Sequence, residues 1–175
     1  MLTALAFIGK PCDLAGLRNY ALEDERVNNL VKFWLTPVCG GYMPHKSTKA
    51  FYRRMGVEPD QVAGLRYRGH GCLWPTRITT AKKVVDAHHL DFWGEDESMW
   101  DMPFRCKVCP DGIGEASDIA VADTWVSGSP NREDSVTDLG TNAVIASTTS
   151  GAALLAKASA AGALVIELNP LLRLH

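Results

Sequence analysis

The sequence lacks what would mark an exported or membrane-embedded chain. No stretch is long and apolar enough to span a bilayer. The apolar opening MLTALAFIGK has no basic segment before it and no small-residue cleavage site after it, so it does not read as a secretory signal. The most apolar segment, GAALLAKASAAGALVIEL, carries Lys157 in its middle and a glycine that divides it into a helix and a strand. An excess of one charge sign is also missing. A net charge of -2 with 22% charged residues excludes a uniformly basic nucleic-acid binder and a disordered chain. There is no internal repeat, and no histidine stands beside a nucleophile as in a hydrolase triad. A cytoplasmic protein with no nucleic-acid partner is the expectation.

Cysteine is not scarce. Five in 175 residues, in a reducing compartment, point to metal or redox chemistry rather than structural disulfides. The length and the hydrophobic content of 46% suit one core and one domain. Charge is distributed unevenly: residues 1–90 hold 13 Lys and Arg against 7 acids, residues 91–175 hold 5 against 13. The front half therefore suits an anionic ligand if its cations converge, and ordinary solvated surface charge if they do not.

Strands and helices alternate along the chain. Leu5 to Ile8 reads as a buried strand, broken at Gly9-Lys10-Pro11, with Asp13 capping a helix through Leu14, Leu17, Arg18 and Ala21. Val31 to Val38 is a second strand ending at Cys39-Gly40-Gly41, and Ser47 to Met55 has helical spacing. A further helical turn is expected over residues 60–63. LRYRG and TRITT are strand-like pieces on either side of the glycine-rich GHGCLWP. Glu97 to Met102 can form a short helix, and RCKVCPDGIGEASD reads as an irregular loop because Pro110, Gly112 and Gly114 break regular structure. DIAVADTW and NAVIAST follow as strands, Ser150 to Ala161 as a helix capped by Ser150, and LVIEL as a last strand. The sum is α/β or α+β: a single domain with a mixed sheet, flanking helices and a cysteine-bearing loop. The chain opens almost directly into a strand, so an upstream region, on this or another polypeptide, is expected.

Cys106-Lys107-Val108-Cys109-Pro110 carries the most chemical information. Thiolates two residues apart can face one metal centre, with the intervening amides free to donate to sulfur. A ligand pair, a redox-active dithiol and coincidence are all open from the spacing alone. The dithiol reading is weakened because a Pro-Asp-Gly loop follows where a thioredoxin-like pair would run into a helix. Cys12 and Cys39 each stand at the C-terminal end of an expected strand. If those strands are parallel neighbours, both sulfurs lie at one sheet edge. Each alone is more often a buried structural thiol. Cys72 is left over and reads as a free thiol.

In order and spacing, GKPCDLAGLRN, VCGGYMP, LRYRGHGCLWP, RCKVCPDGIGEASDIAVADTW and TTSGAALLAKASAAGALVIE resemble the C-terminal domain of the coenzyme F420 hydrogenase/dehydrogenase beta-subunit family. The likeness covers nearly the whole of residues 1–175 and is densest over 104–125, where the Cys-x-x-Cys-Pro-Asp-Gly run, Glu115, Asp118 and Asp123-x-Trp125 all agree. Two departures stand out: Ala122 where the family has Gly, and Cys72-Leu73 where relatives run Asn-Gly-Trp-Pro-Gly.

The resemblance implies an oxidoreductase module that binds FAD and a 4Fe-4S cluster and exchanges hydride with a deazaflavin coenzyme, coupled to a redox partner subunit or electron carrier. It makes Cys12, Cys39, Cys106 and Cys109 the cluster ligands. Gly9 and Lys10 lie in the turn before the first helix, where free amides suit a phosphate, or where an ordinary strand-to-helix turn would sit. Arg66, Arg68 and Gly69 are candidates for flavin or deazaflavin contacts, since guanidinium groups suit phosphate and carboxylate. As alternating residues of a strand they can equally be surface positions. Asp123 joins the cofactor-binding set, although Asp at a strand end is also a common cap. Trp74 and Trp125 can stack on a flavin ring or be core. His70, His88 and His89 read as surface residues. Two other classes compete: four thiolates holding structural zinc in an interaction module, and a truncated chain that no longer binds flavin.

Overall fold

A computed structural model describes residues 4–69, 75–93, 101–125, 127–134, 138 and 140–167. In chain order the elements are β1 (Leu5–Ile8), α1 (Pro11–Tyr20), α2 (Glu25–Leu30), β2 (Val31–Pro37), α3 (His45–Arg54), β3 (Val62–Arg66) and β4 (Thr76–Thr80). They continue with β5 (Val84–Ala87), α4 (His89–Trp93), α5 (Phe104–Lys107), β6 (Ile119–Asp123), β7 (Asn142–Ala146) and α6 (Thr149–Ala160). A 3-10 turn, Pro59–Gln61, precedes β3. The chain packs as two compact units, the first made of Met1–Cys39, Ile113–Val121 and Val144–His175, the second of Gly40–Gly112 and Ala122–Ala143. Among the described residues no helix is long and apolar enough to cross a membrane.

The sheet of the first unit has the order β1-β2-β6-β7. β1 pairs parallel with β2, and β2 parallel with β6. The bonds flanking β6 and β7, Ser147 N to Asp118 O and Thr124 N to Thr141 O, have the falling-and-rising numbering of an antiparallel pair. The sheet is therefore mixed, as the alternation of elements predicts. Its first crossover starts at Pro11, which fills the first helical position of α1 where no amide bond is lost. Asp13 sits three residues into α1 and its carboxylate accepts from the Lys10 amide at 3.1 Å, so Lys10 is the cap and Asp13 the reaching-back partner, not the cap itself. Leu14 on α1 is fully buried against Val31 and Trp34 of β2, with Phe7, Leu17 and Val27 around them.

Asp118 ties this unit together. Its buried carboxylate accepts from the Trp34 amide at 2.9 Å and from the Thr148 hydroxyl at 2.8 Å. Its own amide donates to Trp34 O at 2.7 Å. Arg18 reaches the same region from α1, with Nη2 3.8 Å from the Asp118 carboxylate, Nε donating to Ala116 O at 2.6 Å, and the guanidinium 4.4 Å above the Trp34 ring centre. Thr148, not Ser150, caps α6: its extended backbone lets the side-chain oxygen accept from Gly151 N at 3.0 Å. Gly151 is required because a Cβ there would run into the Asp118 carbonyl.

The second unit is built on the antiparallel sheet β3-β4-β5, whose strands follow one another in sequence. α3 lays Phe51 and Tyr52 over Ile78, Val57, Ala87 and Phe92, with Phe51 and Ile78 fully buried. Phe92 stands edge-on to both Phe51 and Tyr67, with ring centres at 5.3 and 5.0 Å.

Several expectations from the sequence are corrected. Leu5–Ile8 is an edge strand in which alternate residues are exposed, Ile8 to 70%, because it has a neighbour on one side only. Residues 62 and 63 open β3 instead of continuing the helical turn. The cysteine loop starts with the helical turn α5, since Pro103 supplies an extended cap and its carbonyl accepts from Cys106 N at 2.8 Å. Residues 164–167 of the expected last strand pair with nothing regular, and Val165 is 94% exposed, because β-branched side chains favour a ladder only where a covered face exists. The expected helix over 97–102 and the GHGCLWP segment fall largely outside the described residues.

Candidate functional site

Cys12 and Cys39 belong to the first unit. Cys12 occupies the second position of α1, exposed, and Cys39 follows β2 by two residues, half-buried. Because β1 and β2 are adjacent and parallel, both cysteines lie beyond the same end of the sheet, where open α/β sheets place ligands. The Lys10 ammonium stands near both. Its bond to Asp13 at 2.5 Å raises its pKa most, and the negative fields of Cys12 and Cys39 push in the same direction. This edge can hold two thiolates beside a cation.

The amides of the Gly9-Lys10 turn are not free. Gly9 N donates to Leu35 O at 3.2 Å and Lys10 N to the Asp13 carboxylate. Gly9 is needed for room, since a Cβ there would come within 2.9 Å of the Phe7 ring and 3.2 Å of Leu14. What this turn offers an anion is the Lys10 ammonium rather than a cradle of amides.

Cys106 and Cys109 belong to the second unit. Cys106 lies within the turn α5, and Cys109 follows its C-cap Val108. Cys109 is exposed, its amide contacts Cys106 O at 3.4 Å and its thiol lies 3.4 Å from Asp111 O. Cys12, Cys39, Cys106 and Cys109 are all free thiols. Among the described residues no group of three or more His, Cys, Asp or Glu side chains is gathered around a common point. Among the described residues each unit thus carries one pair of cysteines, a donor chemistry that fits an iron-sulfur cluster and zinc alike. Cys72 lies outside the described residues.

The remaining candidates lie in the second unit. Arg68 and Asp123 form an ion pair at 2.7 Å, so each is matched by the other. Arg66 closes β3 with its Nε and Nη2 atoms buried and, among the described residues, without a hydrogen-bond partner, and Gly69 lies against its stem. Many cations of the basic front half are neutralised locally: Arg26 by Asp24, Arg77 by Asp86, Arg53 by Glu58 and Lys46 by Asp101. The expected broad positive field therefore narrows to particular groups.

His89, expected at the surface, is instead partly enclosed. Burial, aided by the charge of Arg68, pushes its pKa down to about 4. Its Nε2 accepts from the Trp93 indole at 3.3 Å, and a bond to the Tyr67 backbone opposes part of the shift. Periodicity gave no signal for this, because α4 has only five residues and His89 opens it. Trp125 is half-exposed, and Trp74 lies outside the described residues.

A mixed sheet with a cysteine-bearing C-terminal edge, joined in one chain to a Cys-x-x-Cys unit, defines a cysteine-bearing α/β protein. Residues 2–170 match the family described as the C terminus of the coenzyme F420 hydrogenase/dehydrogenase beta subunit, and the chain belongs to that family. Among solved structures it is similar to a chain of the F420-reducing NiFe hydrogenase complex from Methanosarcina barkeri, studied there as a xenon derivative. The TM-score is 0.59 and the identity 19%, over 91% of this chain and 50% of that one. The likeness is one of fold, and the chain spans about half the length of the hydrogenase chain. Among curated proteins none matches the sequence.

Proposed function

We propose that this chain is an oxidoreductase module in which Cys12, Cys39, Cys106 and Cys109 hold a 4Fe-4S cluster and the basic groups of the Gly9-Lys10 turn and the Arg66-Arg68-Gly69 segment hold FAD. The observation that carries the reading is the family match over residues 2–170, reinforced by two pairs of free thiols in a sequence of that family. When bound, the two groups supply the conversion of a hydride, taken from a deazaflavin such as coenzyme F420, into single electrons for a partner subunit or carrier.

The residues do the holding and the electrostatics. Cys12 and Cys39 supply sulfurs from one sheet edge, Cys106 and Cys109 from one turn, and the reading requires both pairs to serve a single centre. Lys10 offsets part of the negative charge that thiolate ligands bring. Arg66 and Lys10 are the cations suited to phosphate. Asp123 holds Arg68 in place, and Gly69 keeps the approach to Arg66 narrow in side-chain bulk.

Purification without oxygen, followed by iron, sulfide, zinc and flavin analysis, tests this. About four iron atoms and four sulfides per chain, a broad visible absorption and bound flavin are expected. Zinc in a colourless protein would make the chain a thiolate-zinc interaction module. Neither metal nor flavin would make it a segment that needs more polypeptide to bind its cofactors.

A further inference from the structure

Separate stretches of the first unit meet at Arg18. This residue lies on α1, the helix that carries Cys12 near its start. Its Nε donates to Ala116 O at 2.6 Å, in the segment that leads on from Cys109. Its guanidinium lies 4.4 Å over the ring of Trp34, on the strand that leads to Cys39. Its Nη2 stands 3.8 Å from the Asp118 carboxylate, which itself accepts from the Trp34 amide at 2.9 Å. Arg18, Trp34, Ala116 and Asp118 all belong to the first unit. A planar guanidinium with a stacking face serves a carbonyl, a carboxylate and a ring together, which a compact ammonium on a flexible stem does not.

The segment that Arg18 grips is a closed turn. Ser117 is buried, and its amide and hydroxyl both donate to Gly114 O, at 2.9 and 2.7 Å. Gly114 has a φ of +91°, open to glycine and rarely to other residues, and a Cβ there would run into the Thr36 side chain. Thr36 is buried near the end of β2, just ahead of Pro37, Val38 and Cys39. The turn therefore presses against the part of β2 from which Cys39 follows, and only glycine allows that approach.

We propose that Arg18 is a positioning residue for the thiols: it ties α1, β2 and the turn Gly114–Ser117 together, so that the stretches bearing Cys12 and Cys39 and the one leading from Cys109 are ordered before metal binds. Preformed support of this kind spares a site the cost of ordering its ligands at the moment of binding. This role rests on the preceding reading of the cysteines as ligands of one centre, and not on whether that centre is a cluster or zinc.

Cadmium is the probe, because soft thiolates bind it in place of iron or zinc and each Cd–S bond absorbs in the ultraviolet. The full chain, reduced, kept from oxygen and freed of bound metal by a chelator, is titrated as wild type, Arg18→Gln, Arg18→Lys and Val27→Ala, with melting temperatures measured alongside. Val27 packs against the core of the same unit and controls for a loosened core alone. Arg18→Gln and Arg18→Lys should each bind cadmium about tenfold more weakly than wild type. Val27→Ala should melt earlier yet bind within about twofold of wild type, since a purely structural loss lowers the melt without moving the thiols of the folded chain. Wild-type affinity in both Arg18 variants overturns the role, as does an equal loss in Val27→Ala or the lack of a cadmium–thiolate band in wild type. Arg18-dependent cadmium binding in a chain that purifies without iron and sulfide keeps the role and sinks the cluster reading. A chain that purifies with iron and sulfide but binds cadmium indifferently to Arg18 does the reverse. Should Arg18→Gln not fold, Arg18→Lys, which keeps the charge, decides by the same measure.

Discussion

The two units solve the same packing problem with different chemistry. In the first, β2 must meet a segment more than eighty residues further on, and the junction is specified by polar bonds: Asp118 binds the Trp34 amide across a separation of 84 residues and the Thr148 hydroxyl across 30. In the second, β3, β4 and β5 are neighbours in sequence, and the unit rests on aromatic packing around Phe51, Ile78 and Phe92. A buried carboxylate with well-placed donors tolerates few alternative pairings, so it suits distant segments that must find one register. Apolar packing suffices where short connections already limit the register.

The largest effect that would sharpen this contrast is expected from Phe51→Ala, which empties the middle of the aromatic core. It should cost about 3–5 kcal/mol in denaturant unfolding and speed hydrogen exchange in the amides of β3 to β5. Asp118→Ala should cost about 3 kcal/mol, because it leaves the buried Trp34 amide and the Thr148 hydroxyl without an acceptor, and exchange should rise in β2 and at the start of α6. If Asp118→Ala were neutral, packing rather than hydrogen bonding would hold the first unit. Thr148→Ala removes the cap of α6 and one donor to Asp118, and about 1 kcal/mol is expected from the same melts.

A separate effect is one of pH. With its pKa lowered to about 4 from the usual 6.5, His89 is neutral in the folded protein at pH values where the unfolded chain already takes up a proton. Its contribution is complete above pH 6.5 and is lost as pH falls from there to about 4. Melting temperatures of wild type and His89→Gln should therefore run parallel above pH 6.5, with only wild type showing this extra decline below it.

Much of this fold was legible from short-range signals. Alternation of apolar runs with turn residues placed β1, β2, β6 and β7 and the helices α1, α3 and α6 to within a few residues. The signals that failed were those whose meaning depends on a distant partner. Asp13 and Ser150 both look like caps, but the residue that caps is the one with extended backbone, Lys10 in one case and Thr148 in the other. Residues 164–167 of LVIEL have strand composition, but none of the described strands pairs with them. α2 and α4, of six and five residues, are too short to show a helical period. At the candidate site, the sequence put Cys12 and Cys39 at one edge only on the condition that their strands are parallel neighbours, and β1 and β2 meet that condition. The commitment of Arg68 to Asp123, the orphaned edge of Arg66 and the burial of His89 were not, because each depends on which charges and rings the folded chain brings alongside.

Iron content of single cysteine variants, purified without oxygen, probes most directly whether sulfurs contributed by both units serve one centre. Cys12→Ser and Cys106→Ser should each lose the iron and the visible absorption, while Cys72→Ser keeps both. Full iron retention in Cys12→Ser, or its loss in Cys72→Ser, would contradict the assignment of these four thiols to a shared cluster.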